Sequence, residues 1–159
     1  MIYYLDSSAL VKRYVAESGS TRITELVEGD ENIAISWLAL PETLAAVVRR
    51  AKGGSISTED LNSIKTQLHR DMQRFMVVEV SGAPVKGIEA LIGHHALRGA
   101  DSIHLATALW LKKATKTPIV FVASDHELLT AAHAERLKIL NPSEEGKKEG
   151  RKQKGMLQG

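Results

Sequence analysis

Hydrophobic residues along this chain fall into short runs that alternate with stretches of helical spacing. The runs are rich in β-branched and aromatic residues, which favours buried strands. They cover residues 2–5 (IYYL), 32–38 (NIAISWL), 75–80 (FMVVEV), 118–123 (PIVFVA) and 137–140 (LKIL). Strands that are buried on both faces and separated by helices indicate a parallel sheet covered by helices. The pattern therefore predicts an α/β fold with about five strands.

Apolar residues between these runs recur three and four positions apart, as they do on one face of a helix. This spacing predicts helical segments around 10–15, 44–51, 57–73, 83–97, 101–114 and 126–135. Ser57, with Asp60 three residues later, resembles a capping box at the start of the third segment. The apolar residues of the helices 57–73 and 83–97 fit either the core or a dimer surface.

Length and composition fit one globular domain. The chain has 159 residues, of which 43% are hydrophobic, and this is enough to bury a core. It has no cysteine, which excludes disulfides, cysteine-based zinc sites and thiol catalysis, and suits a reducing cytosol. No apolar run approaches the ~20 residues that span a membrane, and the first residues do not resemble a signal peptide. We expect a soluble cytoplasmic protein that does not contact a membrane.

The net charge of +2 is unevenly distributed along the chain. Residues 143–159 contain five Lys or Arg and three Glu, whereas residues 1–142 contain 16 basic and 16 acidic side chains. The segment 143–159 has almost no apolar residues, so it cannot bury enough surface to offset the entropy lost on ordering. We therefore expect one folded domain over 1–142 and a disordered basic tail over 143–159 that aids solubility. A weak contact with nucleic-acid phosphates is the alternative role for the tail.

Four acids stand near the starts of predicted helices. Asp6, Glu42 and Asp125 each follow a predicted strand, whereas Asp101 begins the helix 101–114 with no strand directly before it. Ligands of open parallel sheets bind beyond the carboxyl ends of the strands, where the first three acids are expected. Taken alone, each acid is better explained as a helix cap, because Asp caps helices and acids suit the first turn.

Three observations together favour a metal site over four separate caps. Hydroxyl residues that can cap a helix already stand beside the Asp residues, namely Ser7 and Ser8 near Asp6, Ser102 beside Asp101 and Ser124 beside Asp125. The acids recur on successive strand–helix units at one edge of the sheet. Clustered carboxylates repel one another, so holding several ionised groups together needs a counter-cation. A hard divalent ion such as Mg²⁺ prefers these oxygen ligands.

Four segments resemble the motifs of PIN-domain ribonucleases, and in particular of the VapC-like toxins of toxin–antitoxin pairs. The segments are YLDSSALVKRY (4–14), SWLALPETLAA (36–46), LRGADSIHLATA (97–108) and VASDHELLTAAHAERLKILNP (122–142). The resemblance implies a three-layer α/β/α PIN-like domain around a mostly parallel sheet. It also implies that Asp101 reaches the edge of the sheet where the other three acids lie.

The resemblance further implies a function and a set of partners. Asp6, Glu42, Asp101 and Asp125 match the four motif acids of the family. In a metal-dependent endoribonuclease, Asp6, Asp101 and Asp125 would hold Mg²⁺ or Mn²⁺. Glu42 would bind a metal or help to orient and deprotonate the attacking water. The implied partners are an RNA substrate, a small antitoxin and a second copy of the chain in a homodimer.

Three polar residues near the motif acids, Ser8, Ser124 and His104, are further candidates for the site. Ser8 matches a small polar residue that supports the first acid. Many family members place Thr or Ser two residues before the fourth acid, but this chain has Ala123 there and its hydroxyl at Ser124, whose role is left open. His104, three residues after Asp101, fits a transition-metal ligand or a general base, although a packed structural histidine is the better interpretation.

Other interpretations of the chain remain beside the toxin. In a VapC-like protein, Lys12 and Arg13 would hold RNA or be covered by an antitoxin. A PIN-like nuclease in RNA processing, outside toxin–antitoxin systems, has the same acids. A binding module that has lost catalysis is disfavoured because all four acids are present. A phospho-receiver domain needs an Asp after its third strand, and the segment VEVSGAP has none.

Overall fold

The computed structural model describes residues 1–144, and the predicted tail from 145 onwards lies outside the described residues. The elements follow one another as β1 (Ile2–Leu5), α1 (Ser7–Leu10), a 3₁₀ turn (Val11–Arg13), α2 (Ser20–Glu28), β2 (Asn32–Ser36), α3 (Ala39–Lys52), α4 (Thr58–Met72), β3 (Met76–Val78), α5 (Ile88–His95), α6 (Gly99–Thr115), β4 (Ile119–Val122), α7 (His126–Ala134) and β5 (Lys138–Leu140). Within residues 1–144, no helix combines the length and the apolar character needed to cross a bilayer.

The five strands form one parallel sheet in the order β3–β2–β1–β4–β5. On the central strand β1, Tyr4 pairs with Ala34 of β2 and with Phe121 of β4. The last residue of β1, Leu5, pairs with Val122 at the end of β4. The carboxyl ends of three neighbouring strands therefore meet at one edge. The predicted α/β fold with five strands is confirmed.

Side chains alternate along β1 and so enter two separate cores on the two faces of the sheet. Tyr4 packs with Phe121 of β4 and Leu105 of α6, in a core that α5, α6 and α7 cover. Leu5 packs on the opposite face with Leu10 of α1 and Leu68 of α4. The sheet thus lies between two helical layers, as the family resemblance implies.

The spacing argument missed one helix, α2. Its buried residues Ile23, Leu26 and Val27 do stand three and four positions apart, which is the signal that could have revealed it. The helix begins after Gly19, which has no capping side chain, so the usual sequence sign of a helix start is absent. Gly19 has a φ of +94°, and a Cβ there would lie 2.8 Å from the carbonyl carbon of Pro142. Close packing against the end of the chain therefore requires glycine at this position.

Some predicted elements differ in length from the observed ones. The helical segment predicted around 10–15 is the end of α1 followed by a 3₁₀ turn. The third strand, predicted over 75–80, is shorter in the structure, where β3 covers only Met76–Val78. The helix predicted over 83–97 shortens to α5, because Gly87, with a φ of +88°, interrupts helical backbone immediately before it.

Helices α4 and α5 each bury an apolar side chain in the core. Leu68 of α4 is fully buried and Leu91 of α5 is 7% exposed. Ile92, the neighbour of Leu91, is 40% exposed. The core interpretation therefore holds for Leu68 and Leu91, whereas a role of this region in a dimer stays a prediction.

After β5 the chain returns to the loop that precedes α2. The hydroxyl of Ser143 donates to the carbonyl oxygen of Ser18 at 3.1 Å, and the Ser18 hydroxyl donates to the carbonyl oxygen of Ser143 at 3.5 Å. The first residue of the predicted tail is thus hydrogen-bonded to the domain in the part of the chain that the structure describes.

Replacing Leu68 tests the packing of α4. We expect Leu68→Ala to lower the free energy of unfolding by about 2–5 kcal/mol, because it removes a fully buried side chain and leaves a cavity. Ser63→Ala, on an exposed position of the same helix, should change it by less than about 0.5 kcal/mol. Urea denaturation followed by circular dichroism measures both values. Equal stability of the two variants would mean that α4 does not depend on Leu68 for its packing.

Candidate active site

The acids predicted from the sequence lie at the starts of helices along one edge of the sheet. Asp6 and Asp125 precede α1 and α7, which follow β1 and β4. Glu42 and Asp101 lie in the first turns of α3 and α6. Asp101 is close enough for its charge to act on Asp6, and the charges of Asp125 and Glu42 act on Asp101 in turn. The structure therefore brings the acids together around Asp101, which sequence spacing alone could not place.

Asp6 is held by hydrogen bonds from its own helix and from a neighbouring serine. The hydroxyl of Ser8 donates to the two carboxylate oxygens at 2.7 and 2.9 Å. The backbone N–H of Ala9 donates to Oδ1 at 2.9 Å. Ser8 also accepts the backbone N–H of Ser124 at 3.0 Å. Ser8 therefore orients Asp6 and links the end of β1 to the chain that follows β4.

The ionisation of Asp6 is opposed by its surroundings. Burial raises the pKa of the Asp6 carboxyl to about 6, and the charge of Asp101 adds to this. The hydrogen bonds from Ser8 and Ala9 act in the opposite direction, as would a positive charge on His104, but they do not outweigh burial. A positive charge near Asp6 would favour its ionised form.

Asp125 caps its own helix, which corrects one step of the sequence argument. That argument assigned the capping to the neighbouring hydroxyls, yet Asp125 Oδ1 accepts the backbone N–H of Leu128 at 2.8 Å, and Asp6 caps α1 in the same way. A carboxylate has two oxygens and several lone pairs, so a capping acid keeps capacity for a second partner. The hydroxyl of Ser124 is buried and has no hydrogen-bond partner among residues 1–144.

Asp101 is partly buried and surrounded by other charges. Burial raises the pKa of its carboxyl, and the negative charges of Asp125 and Glu42 raise it further. The guanidinium of Arg98, and any positive charge on His104, oppose the shift without cancelling it. Repulsion between these carboxylates makes the site a favourable position for a positive charge.

Glu42 behaves differently from Asp6 and Asp101. Burial alone would raise the pKa of its carboxyl, but the hydrogen bond and charge of His104, with a hydrogen bond from Ser7, lower it below its ordinary value. His104 Nε2 lies 2.7 Å from Glu42 Oε1. Sequence reasoning treated His104 as a packed structural residue and missed this bond, although its position one helical turn after Asp101 was a usable signal.

A small open groove runs beside Glu42 along α3. It has a volume of about 330 Å³ and is lined by Ser7, Ser8, Val11, Glu42, Ala45, Ala46 and Arg49. The two alanines leave space over the helix. Arg49, at the far end of the groove, is exposed. The groove therefore extends from an acid of the site to a basic side chain two helical turns away.

Lys12 and Arg13 are engaged in ion pairs within the domain. Lys12 Nζ lies 3.0 Å from Glu17, and Lys12 itself is buried. Arg13 pairs with Glu28 at 2.7 Å and with Asp71 at 3.3 Å. These contacts connect the 3₁₀ turn to α2 and α4, so both basic residues have a structural role.

The donors at this edge fit a hard cation in their chemistry. They are carboxylate oxygens, of which those of Asp6 and Asp101 belong to groups with raised pKa values, and the hydroxyl of Ser124, which has no partner among residues 1–144. Within residues 1–144, however, no three His, Asp or Glu side chains form a group suited to one metal ion. Mg²⁺ is commonly held by only one or two carboxylates, together with water and substrate phosphate. The site fits that open kind of coordination better than a closed cage of protein ligands.

The buried carboxyl of Asp6 predicts a pH dependence of stability. Its folded pKa of about 6 lies above the ordinary value, so the folded state binds more protons, and the free energy of unfolding falls as the pH rises from about 4 to 6. We expect Asp6→Asn to remove this fall and to stabilise the metal-free protein at pH 7–8 by on the order of 2 kcal/mol. Urea denaturation with EDTA at several pH values measures the effect. Asp30→Asn, on an exposed loop, is the control, and an unchanged pH profile in Asp6→Asn would contradict the prediction.

Known proteins share both the sequence and the fold. A model of the PIN domain matches residues 3–134. Ribonuclease VapC45 of Mycobacterium tuberculosis is 35% identical over 138 residues, which cover 84% of this chain and 90% of that protein. PAE2754 from Pyrobaculum aerophilum has a TM-score of 0.60 at 20% identity, covering 89% of this chain and 90% of that one. VapBC2 from Rickettsia felis, bound to a DNA fragment from its promoter, has a TM-score of 0.59 at 16% identity. The match covers 89% of this chain and 98% of that one.

The two solved structures show a shared fold, and the sequence comparisons show the family. The region matched by the PIN domain model contains Asp6, Glu42, Asp101 and Asp125 together with the first four strands of the sheet. The chain belongs to the PIN domain family.

Proposed function

We propose that this protein is a metal-dependent endoribonuclease that acts in the cytoplasm as the toxin of a toxin–antitoxin pair. The observation that carries the proposal is the convergence of Asp6, Glu42 and Asp125 around Asp101 in a PIN domain. The 35% identity to a protein named as a ribonuclease supports RNA as the substrate. Hydrolysis at an open carboxylate site fits this combination of fold and residues.

Asp6, Asp101 and Asp125 are the residues that would hold Mg²⁺ or Mn²⁺, directly or through water. A bound ion of this kind lowers the pKa of water and neutralises charge on the phosphate. A cation near Asp6 and Asp101 would lower the raised pKa values of both carboxyls and so favour their ionised forms. Ser8 keeps Asp6 oriented through two hydrogen bonds during this change.

Glu42 is the residue suited to act on the attacking water. The lowered pKa of its carboxyl keeps it ionised at neutral pH, so it can accept a hydrogen bond, and then a proton, from water. The water oxygen forms a bond to phosphorus as the bond to the 3′-oxygen breaks. The products would be a 5′-phosphate and a 3′-hydroxyl, without participation of the ribose 2′-hydroxyl.

A small antitoxin and a second copy of the chain are the proposed protein partners. The VapBC2 structure, which shares the fold, supports the antitoxin. Exposed apolar side chains favour a protein contact, and they include Trp37 at the end of β2, Val80 beyond β3 and Ile92 on α5. The backbone N–H of Trp37 donates to the carbonyl oxygen of Val78, so Trp37 and Val80 lie near the same edge of the sheet.

Cleavage assays test the catalytic assignment. We expect Asp101→Asn to lower the rate of RNA cleavage about 100-fold or more, because Asp101 lies at the centre of the acids and would hold the cation. EDTA should abolish cleavage by the unaltered protein, and added Mg²⁺ or Mn²⁺ should restore it. Asp30→Asn is the control and should keep the normal rate. Undiminished cleavage by Asp101→Asn would refute the role of this site.

Expression in a bacterial host tests the biological part of the proposal. We expect induction of the protein to arrest growth, and co-expression of the small protein encoded beside it to restore growth. Sequencing of the RNA ends produced after induction identifies the cleaved RNA and the chemistry of the ends. Normal growth, together with cleavage by the purified protein, would instead indicate a PIN nuclease of RNA processing.

A further inference from the structure

A chain of buried polar side chains ends at Glu42. The hydroxyl of Tyr4 lies 3.0 Å from Nδ1 of His104, and Nε2 of His104 lies 2.7 Å from Oε1 of Glu42. Tyr4 is fully buried and His104 is 1% exposed. The three residues belong to β1, α6 and α3, so the chain of hydrogen bonds connects three elements at the edge of the sheet that carries the acids.

The direction of these hydrogen bonds follows from the donors and acceptors that the three groups offer. A carboxylate can only accept, so Nε2 of His104 donates to Glu42, and the hydroxyl of the fully buried Tyr4 has one proton to donate at neutral pH. A Tyr4 proton directed at Nδ1 makes that ring nitrogen an acceptor. The ring proton of neutral His104 is then on Nε2, which faces Glu42.

Glu42 is held differently from the two capping acids. Asp6 and Asp125 each accept a backbone N–H of their own helix. The hydrogen-bond donors seen for Glu42 within residues 1–144 are the side chains of His104 and Ser7. A glutamate also has more rotamers to restrict than an aspartate. The orientation of the Glu42 carboxylate therefore depends on side chains that arrive from other elements.

We propose that Tyr4 and His104 are positioning residues for Glu42: the Tyr4 hydroxyl donates to Nδ1 and fixes the His104 tautomer whose Nε2–H donates to the carboxylate. The inference rests on the proposed function, in which Glu42 orients the attacking water. The positioning role explains why α6 buries an imidazole beside Leu105 and Ala106. An apolar side chain at this position would be buried without needing any hydrogen-bond partner.

Two substitutions of His104 separate the roles of its ring nitrogens. His104→Gln places an amide N–H near the position of Nε2 and keeps a donor to Glu42, whereas His104→Asn places its shorter amide near the position of Nδ1. We expect His104→Asn to lower kcat for RNA cleavage about 10–100-fold with little change in KM. His104→Gln should stay within about 5-fold of the normal kcat. Equal kcat in the two variants would overturn the proposal.

Two substitutions of buried tyrosines control for a general loss of stability. Tyr4→Phe removes the donor to His104 and should lower kcat about 5-fold. Tyr14→Phe removes a comparable buried hydrogen bond, which runs from the Tyr14 hydroxyl to Asp71 at 3.0 Å on the opposite face of the sheet. Tyr14→Phe should keep the normal kcat. If the two variants had the same kcat, the result would count against the proposal.

Nitrogen NMR of the His104 ring gives a readout that does not depend on activity. The resonances are assigned by their loss in His104→Gln and measured in the metal-free protein near pH 7.5. We expect a proton on Nε2 alone, with the Nε2–H resonance moved by Glu42→Gln and the Nδ1 resonance moved by Tyr4→Phe. A proton on Nδ1, or on both nitrogens, would overturn the proposal. If the expected spectrum is found but the unaltered protein cuts no RNA, the proposed function fails while the hydrogen-bond chain stands.

Discussion

Mutual repulsion among carboxylates is the constraint around which this structure is organised. The parallel register of β2, β1 and β4 brings strand ends together, and the helices that follow carry the acids. The fold offsets part of the repulsion with helix N-termini, where backbone N–H groups of α1 and α7 donate to Asp6 and Asp125. These hydrogen bonds do not fully offset the cost of ionising the acids, because the pKa values of Asp6 and Asp101 remain raised by burial and by neighbouring negative charges. The site is therefore prepared to receive positive charge from outside the chain.

The environments of the acids differ in a way that suits the different roles proposed for them. Asp6 and Asp101 have raised pKa values because burial and neighbouring negative charges disfavour ionisation. Glu42 has a lowered pKa because His104 and Ser7 hydrogen-bond to its carboxylate. Acid–base pairs are commonly found where surroundings push the pKa values of titratable groups apart. The difference in pKa agrees with the proposal that the Asp residues hold the cation and that Glu42 acts on the water.

Polar interactions outside the site hold the helices that frame it. The 3₁₀ turn after α1 is tied to α4 by Arg13 and Tyr14, both of which contact the buried carboxylate of Asp71. Arg50, at the end of α3, pairs with Glu17 at 2.7 Å, and Glu17 also accepts from Lys12. Since α1 carries Asp6 at its start and α3 carries Glu42, the ion pairs of Glu17 with Lys12 and Arg50 restrain the relative positions of these two acids. The basic residues next to the first motif are thus part of the framework of the site.

The sequence by itself determined the elements whose signals are local. Strand β1 with Asp6 behind it, the capping of α4 by Ser57, and the positions of the acids after strands were all visible because neighbouring residues carry the pattern. Tertiary structure decided what meets across the chain: His104 and Glu42 are 62 positions apart, and Tyr4 and His104 are 100 apart. Hydrophobic periodicity reports that a side chain is buried, but it does not report which polar atom lies opposite. That choice follows from the crossing of β1, α3 and α6 in three dimensions, and it is what turns a buried histidine into a partner of the acids.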